Sequence, residues 1–309
     1  MFDTTFIRKA IVRSSETALD RRRFFEATGV AGLGIGAAAL AAPSASAEEV
    51  AASGPSDASI LNFALNLEYL EAEFYLRAVT GSGLADSDTT GTGARGGVTG
   101  GKAVPFKTPW LKSFAREVAN DEKLHVQFLR GQLGGAAVSR PAINLKDSFN
   151  AAATAAGLIP AGGTFDPFLN EQNFLLGAFV FEDVGVTAYK GAAPLISSKL
   201  YLEAAAGILA VEAYHAGAIR SALYGAGLDV QAGKLSDARD SLDGTALDKD
   251  QGVKVNGQAN IQPTDANAIA FSRSPGEVLN IAYLNPKAVK TGGFFPAGVN
   301  GELNTSQAN

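Results

Sequence analysis

Two four-residue stretches, Glu122-Lys123-Leu124-His125 and Glu212-Ala213-Tyr214-His215, contain both histidines of the 309-residue chain. In each stretch a glutamate precedes the histidine by three positions. Residues three positions apart on an α-helix share one face and are neighbours on its surface. A carboxylate and an imidazole arranged in this way can bind one metal ion between them.

The similarity between the two stretches extends along the chain. An arginine follows each histidine by five positions, and a leucine follows each arginine by three. Upstream of the first stretch, Glu68 precedes Tyr75 by seven positions, and upstream of the second, Glu182 precedes Tyr189 by the same distance. The chain therefore contains an internal repeat with the order Glu, Glu-x-x-His, Glu, Glu-x-x-His. This order is the ligand set of a carboxylate-bridged two-metal site in a four-helix bundle.

The repeat resembles the ferritin-like superfamily, which includes ferritins, bacterioferritins, rubrerythrins and manganese catalases. The stretch from Asn66 to Tyr75 is similar to the first ferritin helix, whose ligand glutamate precedes a tyrosine by seven positions. Near the C-terminus, three stretches are similar to the bacterial and plant ferritin-like proteins called desiccation-related. They are Phe271-Ser272-Arg273-Ser274-Pro275, Val278-Leu279-Asn280-Ile281 and Gly292-Gly293-Phe294-Phe295-Pro296. The resemblance covers residues 55–301.

The predicted fold is all-α: a ferritin-like four-helix bundle with a long crossover between helices 2 and 3. Cap residues and helix breakers predict the helices at Asp57 to Gly81, Thr108-Pro109 to Gly134-Gly135, Asp166-Pro167 to Gly191, and onward from Pro194 to Tyr224-Gly225. The crossover, residues 136–165, contains a predicted short helix from Leu145 to Ala155.

The chain divides into a signal peptide at residues 1–47, the bundle at 48–227 and a mostly irregular C-terminal extension at 228–309. Phe294 and Phe295 would be costly to expose to water, so we expect the extension to pack on the bundle as part of the same domain. The extension contains a predicted short helix from Gly276 to Tyr283. We interpret its acidic run, Asp237 to Asp250, as a solvated loop.

The signal peptide is predicted from three features that occur in order. Arg21-Arg22-Arg23-Phe24-Phe25 fits a twin-arginine motif, a weakly hydrophobic stretch runs from Gly29 to Ala42, and Ala45-Ser46-Ala47 is a small-x-small cleavage site. The apolar stretch is too short for an ordinary membrane span. We therefore predict export to the periplasm or the extracellular space, without stable membrane insertion after cleavage. The alternative is a basic patch leading into a buried Ala-rich helix.

Composition excludes several classes of function. The net charge of −5 argues against a nucleic-acid partner. The chain has no cysteine, which excludes disulfides, thiolate metal sites and cysteine nucleophiles. No stretch resembles a nucleotide-binding fold. The sequence allows a homo-oligomer without specifying one.

Six residues are candidate metal ligands: Glu68, Glu122, His125, Glu182, Glu212 and His215. Carboxylate oxygens with two imidazoles suit iron or manganese, so the predicted cofactor is a pair of iron or manganese ions. Glu68 and Glu182 would be terminal ligands, Glu122 and Glu212 would bridge the two ions, and each histidine would bind one ion.

Three further residues are candidates for a place beside the ligands. Tyr75 and Tyr189 lie two helical turns from their glutamates. They are candidates for hydrogen-bond donors or electron relays, and the alternative is that they are core aromatic residues. Glu71 lies near the edge of the helix face that carries Glu68. It is either a carboxylate next to the site or an ordinary salt-bridged residue.

Two hypotheses about function remain open from the sequence. The first is an oxidoreductase that acts on dioxygen or peroxide, as a ferroxidase, a peroxidase or a catalase-like enzyme. The second is a non-enzymatic protein that sequesters metal or protects macromolecules during drying or oxidative stress, as the desiccation-related resemblance implies. A ferritin-style storage shell is disfavoured, because the long extension would have to fit the packed surface of such a shell.

Overall fold

The computed structural model of the chain describes residues 54–244 and 248–309. Seven α-helices occur in these ranges: α1 (Asp57–Thr80), α2 (Pro109–Leu133), α3 (Asp147–Ala155), α4 (Glu171–Ala192), α5 (Lys199–Gly225), α6 (Asp229–Asp243) and α7 (Pro275–Ala282). The predicted signal peptide at residues 1–47 lies outside the described residues. Among the described helices, none combines the length and apolar character that crossing a membrane requires.

The four long helices form the predicted four-helix bundle. α1 packs along α2, α4 packs along α5, and α1 contacts α4 between the two pairs. The crossover from α2 to α4 spans residues 134–170 and includes α3. The all-α fold and the position of the long crossover are as predicted from the sequence.

Two short two-stranded sheets accompany the helices. β1 (Val98–Thr99) pairs in parallel with β2 (Ile143–Asn144), which joins the loop after α1 to the crossover. β3 (Lys254–Val255) and β4 (Gln258–Ala259) form an antiparallel hairpin in the extension.

Local cap chemistry sets several helix ends. Ser56 is the N-cap of α1 and accepts a hydrogen bond from the Ser59 amide, while Gly81 ends the helix with a φ of +80°. Asp57, which the sequence suggested as the N-cap, is instead the first helical residue. Its carboxylate accepts hydrogen bonds from the amides of Ser197 and Ser198, just before α5.

The start of α4 differs from the prediction. The helix begins at Glu171, after the N-cap Asn170, which accepts a hydrogen bond from the Asn173 amide. Asp166 instead accepts a hydrogen bond from the Phe168 amide and forms an ion pair with Lys102. Asp166-Pro167 is therefore a turn before the helix, because the aspartate makes its local hydrogen bond four residues too early.

Phenylalanines fill the core between the bundle and its connections. Phe74 of α1 lies 5.0–5.7 Å, ring centre to ring centre, from five aromatic rings: Tyr75, Phe149, Phe168, Phe174 and Phe181. Phe294 from the extension lies 4.9 Å from the Phe181 ring and 5.1 Å from the Phe149 ring. The extension therefore packs on the bundle, as its paired phenylalanines predicted.

The acidic run from Asp237 to Asp250 is not a solvated loop. Residues up to Asp243 belong to α6, which the sequence analysis did not predict. Asp243 and Asp250 are buried, and both form ion pairs with the buried Arg273. Asp250 also pairs with Arg239, at 2.8 Å. The interpretation failed because Asp243 and Asp250 have buried arginine partners that composition alone does not reveal.

Candidate metal centre

The structure brings the six predicted ligand residues together in the bundle core. α1 supplies Glu68, α2 supplies Glu122 and His125, α4 supplies Glu182, and α5 supplies Glu212 and His215. All six are buried. Because the glutamate and the histidine on α2 are three positions apart, and likewise on α5, both members of each pair face the core.

One group of possible ligand atoms surrounds His125. Its Nδ1 lies 3.1 Å from Glu68 Oε2, 3.6 Å from Glu122 Oε2 and 3.9 Å from Glu212 Oε1. Four residues, these three glutamates and the histidine, each offer one atom within 4.8 Å of all the others. This spacing suits a single metal ion bound between them.

A second group surrounds His215. Its Nδ1 lies 3.1 Å from Glu122 Oε1 and 3.4 Å from Glu182 Oε2. Glu122 therefore takes part in both groups and presents a different oxygen to each. This is the geometry expected of a bridging carboxylate. Glu212, the other bridge that the sequence suggested, offers an oxygen to the His125 group only.

Hydrogen bonding within the core supports a metal site. Six buried ligand atoms make no hydrogen bond to any described residue: both carboxylate oxygens of Glu122, both of Glu212, Oε2 of Glu182 and Nδ1 of His215. Buried polar atoms without a partner are costly and rare in folded proteins. Twelve buried side-chain atoms of the described residues lack a partner, and half of them belong to the predicted ligands. Oxygen with imidazole nitrogen is a donor set that fits iron or manganese.

Each of the two tyrosines forms a hydrogen bond with the ligand glutamate of the other tyrosine's helix. The hydroxyl of Tyr75 on α1 donates to Glu182 on α4, and the hydroxyl of Tyr189 on α4 donates to Glu68 on α1. Burial, together with the charge of the neighbouring glutamate, raises the pKa of each tyrosine well above its usual value of 10. Both hydroxyls therefore stay protonated and remain donors.

Glu71 lies beside the ligands, and Gly185 leaves the space that the Glu212 carboxylate occupies next to it. A Cβ built on Gly185 would lie 2.1 Å from Glu212 Oε2 and 3.6 Å from Glu71 Oε1. Any side chain at position 185 would therefore displace the Glu212 carboxylate. In the repeat, Glu71 follows Glu68 by three positions and Gly185 follows Glu182 by three, so a carboxylate in one half faces a glycine in the other.

Burial and mutual repulsion dominate the charges of these carboxylates. Burial, and after it the charge of Glu68, raises the pKa of Glu122 to about 7. The pKa values of Glu71 and Glu212 lie well above their usual range, because both carboxyls are buried and face other carboxylates. Burial would also raise the pKa of Glu68, but the charge and hydrogen bonding of His125 lower it overall.

The histidines respond in the opposite sense. Burial alone would lower the pKa of His125, but Glu68 and Glu122 raise it to about 11. In the same way Glu182 and Glu122 overcome burial and raise the pKa of His215 to about 12. In the metal-free core, protons on the histidines and on the carboxyls with raised pKa values therefore supply the positive charge that metal ions would otherwise bring.

The fold and this geometry agree with a comparison against known protein families. The family model described as the ferritin-like domain matches residues 56–225, more than half of the chain. The chain belongs to the ferritin-like family. The matched residues begin at the N-cap of α1 and end with α5, so they contain all six candidate ligands.

Two curated proteins are similar to this ferritin-like protein over most of its length. The desiccation-related protein PCC13-62 of Craterostigma plantagineum is 29% identical over 266 residues, which cover 80% of this chain and 84% of that protein. The ferritin-like catalase Nec2 of Nesocodon mauritianus is 27% identical over 268 residues, with the same coverage of each chain. The resemblance to desiccation-related proteins is confirmed. No solved structure matches significantly.

Asp121 is a further residue of the site in this ferritin-like protein, and it was not among the predicted residues. This residue directly precedes Glu122, and its Oδ2 lies 3.4 Å from Nε2 of His215. The signal was present in the sequence as an acidic residue next to a ligand, on the helix face between Glu117 and Leu124. It was missed because the contact joins α2 to α5, and the repeat has no acidic residue at the equivalent position, Val211.

Proposed function

We propose that this ferritin-like protein is a redox protein whose bundle core binds two ions of iron or manganese. The observation that carries the proposal is the pair of ligand groups that share Glu122 and contain six buried donor atoms without a hydrogen-bond partner. Two divalent cations between these groups would supply the missing partners and offset the repulsion among the carboxylates.

The donor set restricts the metal and the chemistry. Carboxylate oxygens and imidazole nitrogens suit iron and manganese, whereas copper(I) prefers sulfur ligands. A bound pair of such ions can exchange two electrons with dioxygen or with peroxide. Both substrates are small enough to reach a buried centre.

The residues of the chain would hold and orient this centre. The two oxygens of Glu122 face different groups, which fixes the separation between the two binding positions. The hydroxyls of Tyr75 and Tyr189 hold Glu182 and Glu68 by one oxygen each, so that the other oxygen stays directed at the histidine beside it.

Hydrogen peroxide is the substrate that we propose first. The similarity to a protein named ferritin-like catalase, over 80% of this chain, supports peroxide over the alternatives. In that reaction two molecules of peroxide yield two of water and one of dioxygen, so no external reductant is needed.

The test is peroxide turnover by protein of known metal content. The protein is purified from its native compartment, its iron and manganese are measured, and dioxygen release from peroxide is followed with an oxygen electrode. We expect release by the metal-loaded wild type and its loss in Glu122→Gln, which alters the shared carboxylate. Glu117→Gln is the matched control, because Glu117 is exposed on the same helix. If metal-loaded protein releases no more dioxygen than metal-free protein, the catalase assignment is wrong.

A second candidate is a non-enzymatic protein that sequesters metal or protects macromolecules. The similarity to a protein named desiccation-related favours it. Drying a labile enzyme with metal-loaded or with metal-free protein discriminates the two candidates. Equal protection by both forms, together with no turnover of peroxide or dioxygen, supports the protective role, whereas turnover supports the oxidoreductase.

We also propose that the protein is exported, as the motif Arg21-Arg22-Arg23-Phe24-Phe25 and the site Ala45-Ser46-Ala47 indicate. Export would place the centre in the periplasm or outside the cell, where no nucleic acid is expected as a partner. A homo-oligomer remains compatible with the proposal, and light scattering of the purified protein would determine its state.

A further inference from the structure

The repeat that relates the two halves of the bundle is broken next to its ligands. The first half reads Asp121-Glu122-x-x-His125 and the second reads Val211-Glu212-x-x-His215. The residue that precedes the glutamate is therefore a carboxylate on α2 and an aliphatic side chain on α5. From this position the side chain on α2 reaches the histidine on α5.

Asp121 contacts the outer nitrogen of His215. Nδ1 of His215 faces Glu122 and Glu182 at 3.1 and 3.4 Å, while Nε2 lies 3.4 Å from Asp121 Oδ2. The ring thus has its inner nitrogen in the ligand group and its outer nitrogen on a carboxylate. A carboxylate in this position accepts a hydrogen bond from Nε2–H, fixes the ring orientation and makes the inner nitrogen a stronger metal ligand.

His125 has no equivalent partner. Its Nδ1 faces three glutamates, and no described residue makes a hydrogen bond with its Nε2. The position that corresponds to Asp121 is Val211, whose side chain has no polar atom. The two imidazoles therefore differ in their outer contact although their inner contacts are similar.

We propose that Asp121 is a positioning residue that makes the two metal positions inequivalent, by strengthening His215 as a ligand while His125 lacks this support. The inference rests on the proposed function, since it requires two bound ions. It assigns the two ions different affinities and different electronic environments within one centre. Asp121 acts through His215, and the structure does not place it in either ligand group.

The test compares stepwise binding of manganese(II) to metal-free protein by titration calorimetry. For Asp121→Val we expect the affinity of one ion to fall about tenfold, with the other unchanged, since loss of such an outer contact typically costs 10- to 100-fold in affinity. Asp121 is partly exposed, so its replacement should leave the fold intact. Asp121→Asn retains an acceptor oxygen, and its effect should be smaller than that of Asp121→Val.

Two further variants separate a specific contact from a general change of charge. Glu117→Gln removes one negative charge from the exposed face of the same helix and should change neither affinity. Val211→Asp supplies the missing carboxylate on α5, and we expect it to raise the affinity of the ion that Asp121→Val leaves unchanged.

A spectroscopic measurement distinguishes positioning from a structural effect. Cobalt(II) bound at both positions should give two overlapping sets of visible absorption bands, and Asp121→Val should shift only one set. If Asp121→Val weakens both ions equally, or neither, while the wild type still binds two, the inference about Asp121 is wrong and the proposed function stands. If the wild type binds no metal, both are wrong.

Discussion

Glu122 is the residue on which the candidate centre depends most. Its two oxygens face different histidines, and neither oxygen makes a hydrogen bond within the described residues. Each histidine belongs to one ligand group, whereas Glu122 belongs to both. The structure therefore ranks the ligands by the number of ions that each would hold.

This ranking predicts the metal content of four variants. His125→Ala and His215→Ala should each lose about one ion per chain, because each histidine serves a single position. Glu122→Ala should lose both ions, and Glu212→Ala should lose mainly the ion beside His125. Iron and manganese per chain are measured by mass spectrometry after dialysis. Four variants with the metal content of the wild type would show that these residues are not the site.

Gly185 offers a second prediction at the scale of one residue. Alanine is favoured over glycine inside a helix by about 1 kcal/mol, so Gly185→Ala would stabilise α4 if the added Cβ met open space. The added Cβ would instead lie 2.1 Å from Glu212 Oε2 and force that carboxylate to move. We expect reduced metal content. The matched control is Gly207→Ala on α5, where a Cβ would meet nothing within 4 Å. The control should raise the melting temperature slightly and leave metal content unchanged.

The raised pKa values predict opposite pH dependences for the two forms of the protein. The pKa of Glu122 in the folded state is about 7, against 4.5 for the free residue, so the metal-free fold binds a proton that the unfolded chain releases. That contribution to stability is complete below about pH 4.5 and is lost as the pH rises through 7. The folded pKa values of His125 and His215 are about 11 and 12, so their contributions to the stability of the metal-free fold are lost at higher pH than that of Glu122. The pKa of Glu68 is lowered in the folded state, so its contribution to stability has the opposite pH dependence and is lost as the pH falls.

Metal binding reverses this trend, since the ions must displace the same protons. Metal affinity should therefore rise with pH, and the difference in melting temperature between loaded and metal-free protein should widen from pH 5 to pH 8. Scanning calorimetry of both forms across this range is the measurement. A metal-free protein that is more stable at pH 8 than at pH 5 would contradict the assignment of protons to this core.

At the scale of elements, the sequence predicted those helix ends and ligand positions that depend on residues close together in the chain. The ends of α1 and α2 follow from Gly81 and from Thr108-Pro109, whose effects reach only a few residues along the chain. The ligands were predictable because helix geometry turns a spacing of three into a shared face. The start of α4 was misplaced because Asp166 and Asn170 are both good cap residues, and tertiary packing selects the second.

α6 and Asp121 were missed for a different physical reason. Ala232 and Leu235 of α6, with the N-cap residue Leu228, have helical spacing and are buried, but the surrounding aspartates suggested a solvated loop. Asp243 is the buried aspartate of α6, and its partner Arg273 lies outside that helix. Asp121 likewise contacts a histidine 94 positions away. Contacts between elements far apart in sequence do not leave a local pattern.

The buried ion pairs around α6 predict a large loss of stability from one substitution. Arg273 pairs with Asp243 at 2.7 Å and with Asp250, and all three side chains are fully buried. Arg273→Met would leave Asp243 buried without its partner, which should lower the free energy of unfolding by about 3–5 kcal/mol. The matched control is Arg95→Met, which removes an exposed ion pair with Asp86 and should cost less than about 1 kcal/mol. Urea unfolding of both variants is the measurement, and equal losses would contradict the role of burial.

At the scale of the whole molecule, the export proposal has a direct test. Replacing Arg21 and Arg22 with lysine should leave the full-length precursor in the cytoplasm, because the twin-arginine pathway recognises the arginine pair. Cell fractions are compared by immunoblot, with the mature N-terminus expected near Glu48. If the mature form still appears outside the cytoplasm, the twin-arginine assignment is wrong.

The crossed tyrosines make the two halves of the chain depend on each other during synthesis. The ribosome adds Glu182, the acceptor of Tyr75, 107 residues after that tyrosine. It adds Tyr189, the donor to Glu68, 121 residues after that glutamate. The group around His125 likewise needs Glu212, from the last helix of the bundle. A half-finished chain therefore displays carboxylates with neither their donors nor their counterparts. Uptake of the proposed ions would have to wait until α5 has left the ribosome, so a bound ion would report a completed bundle.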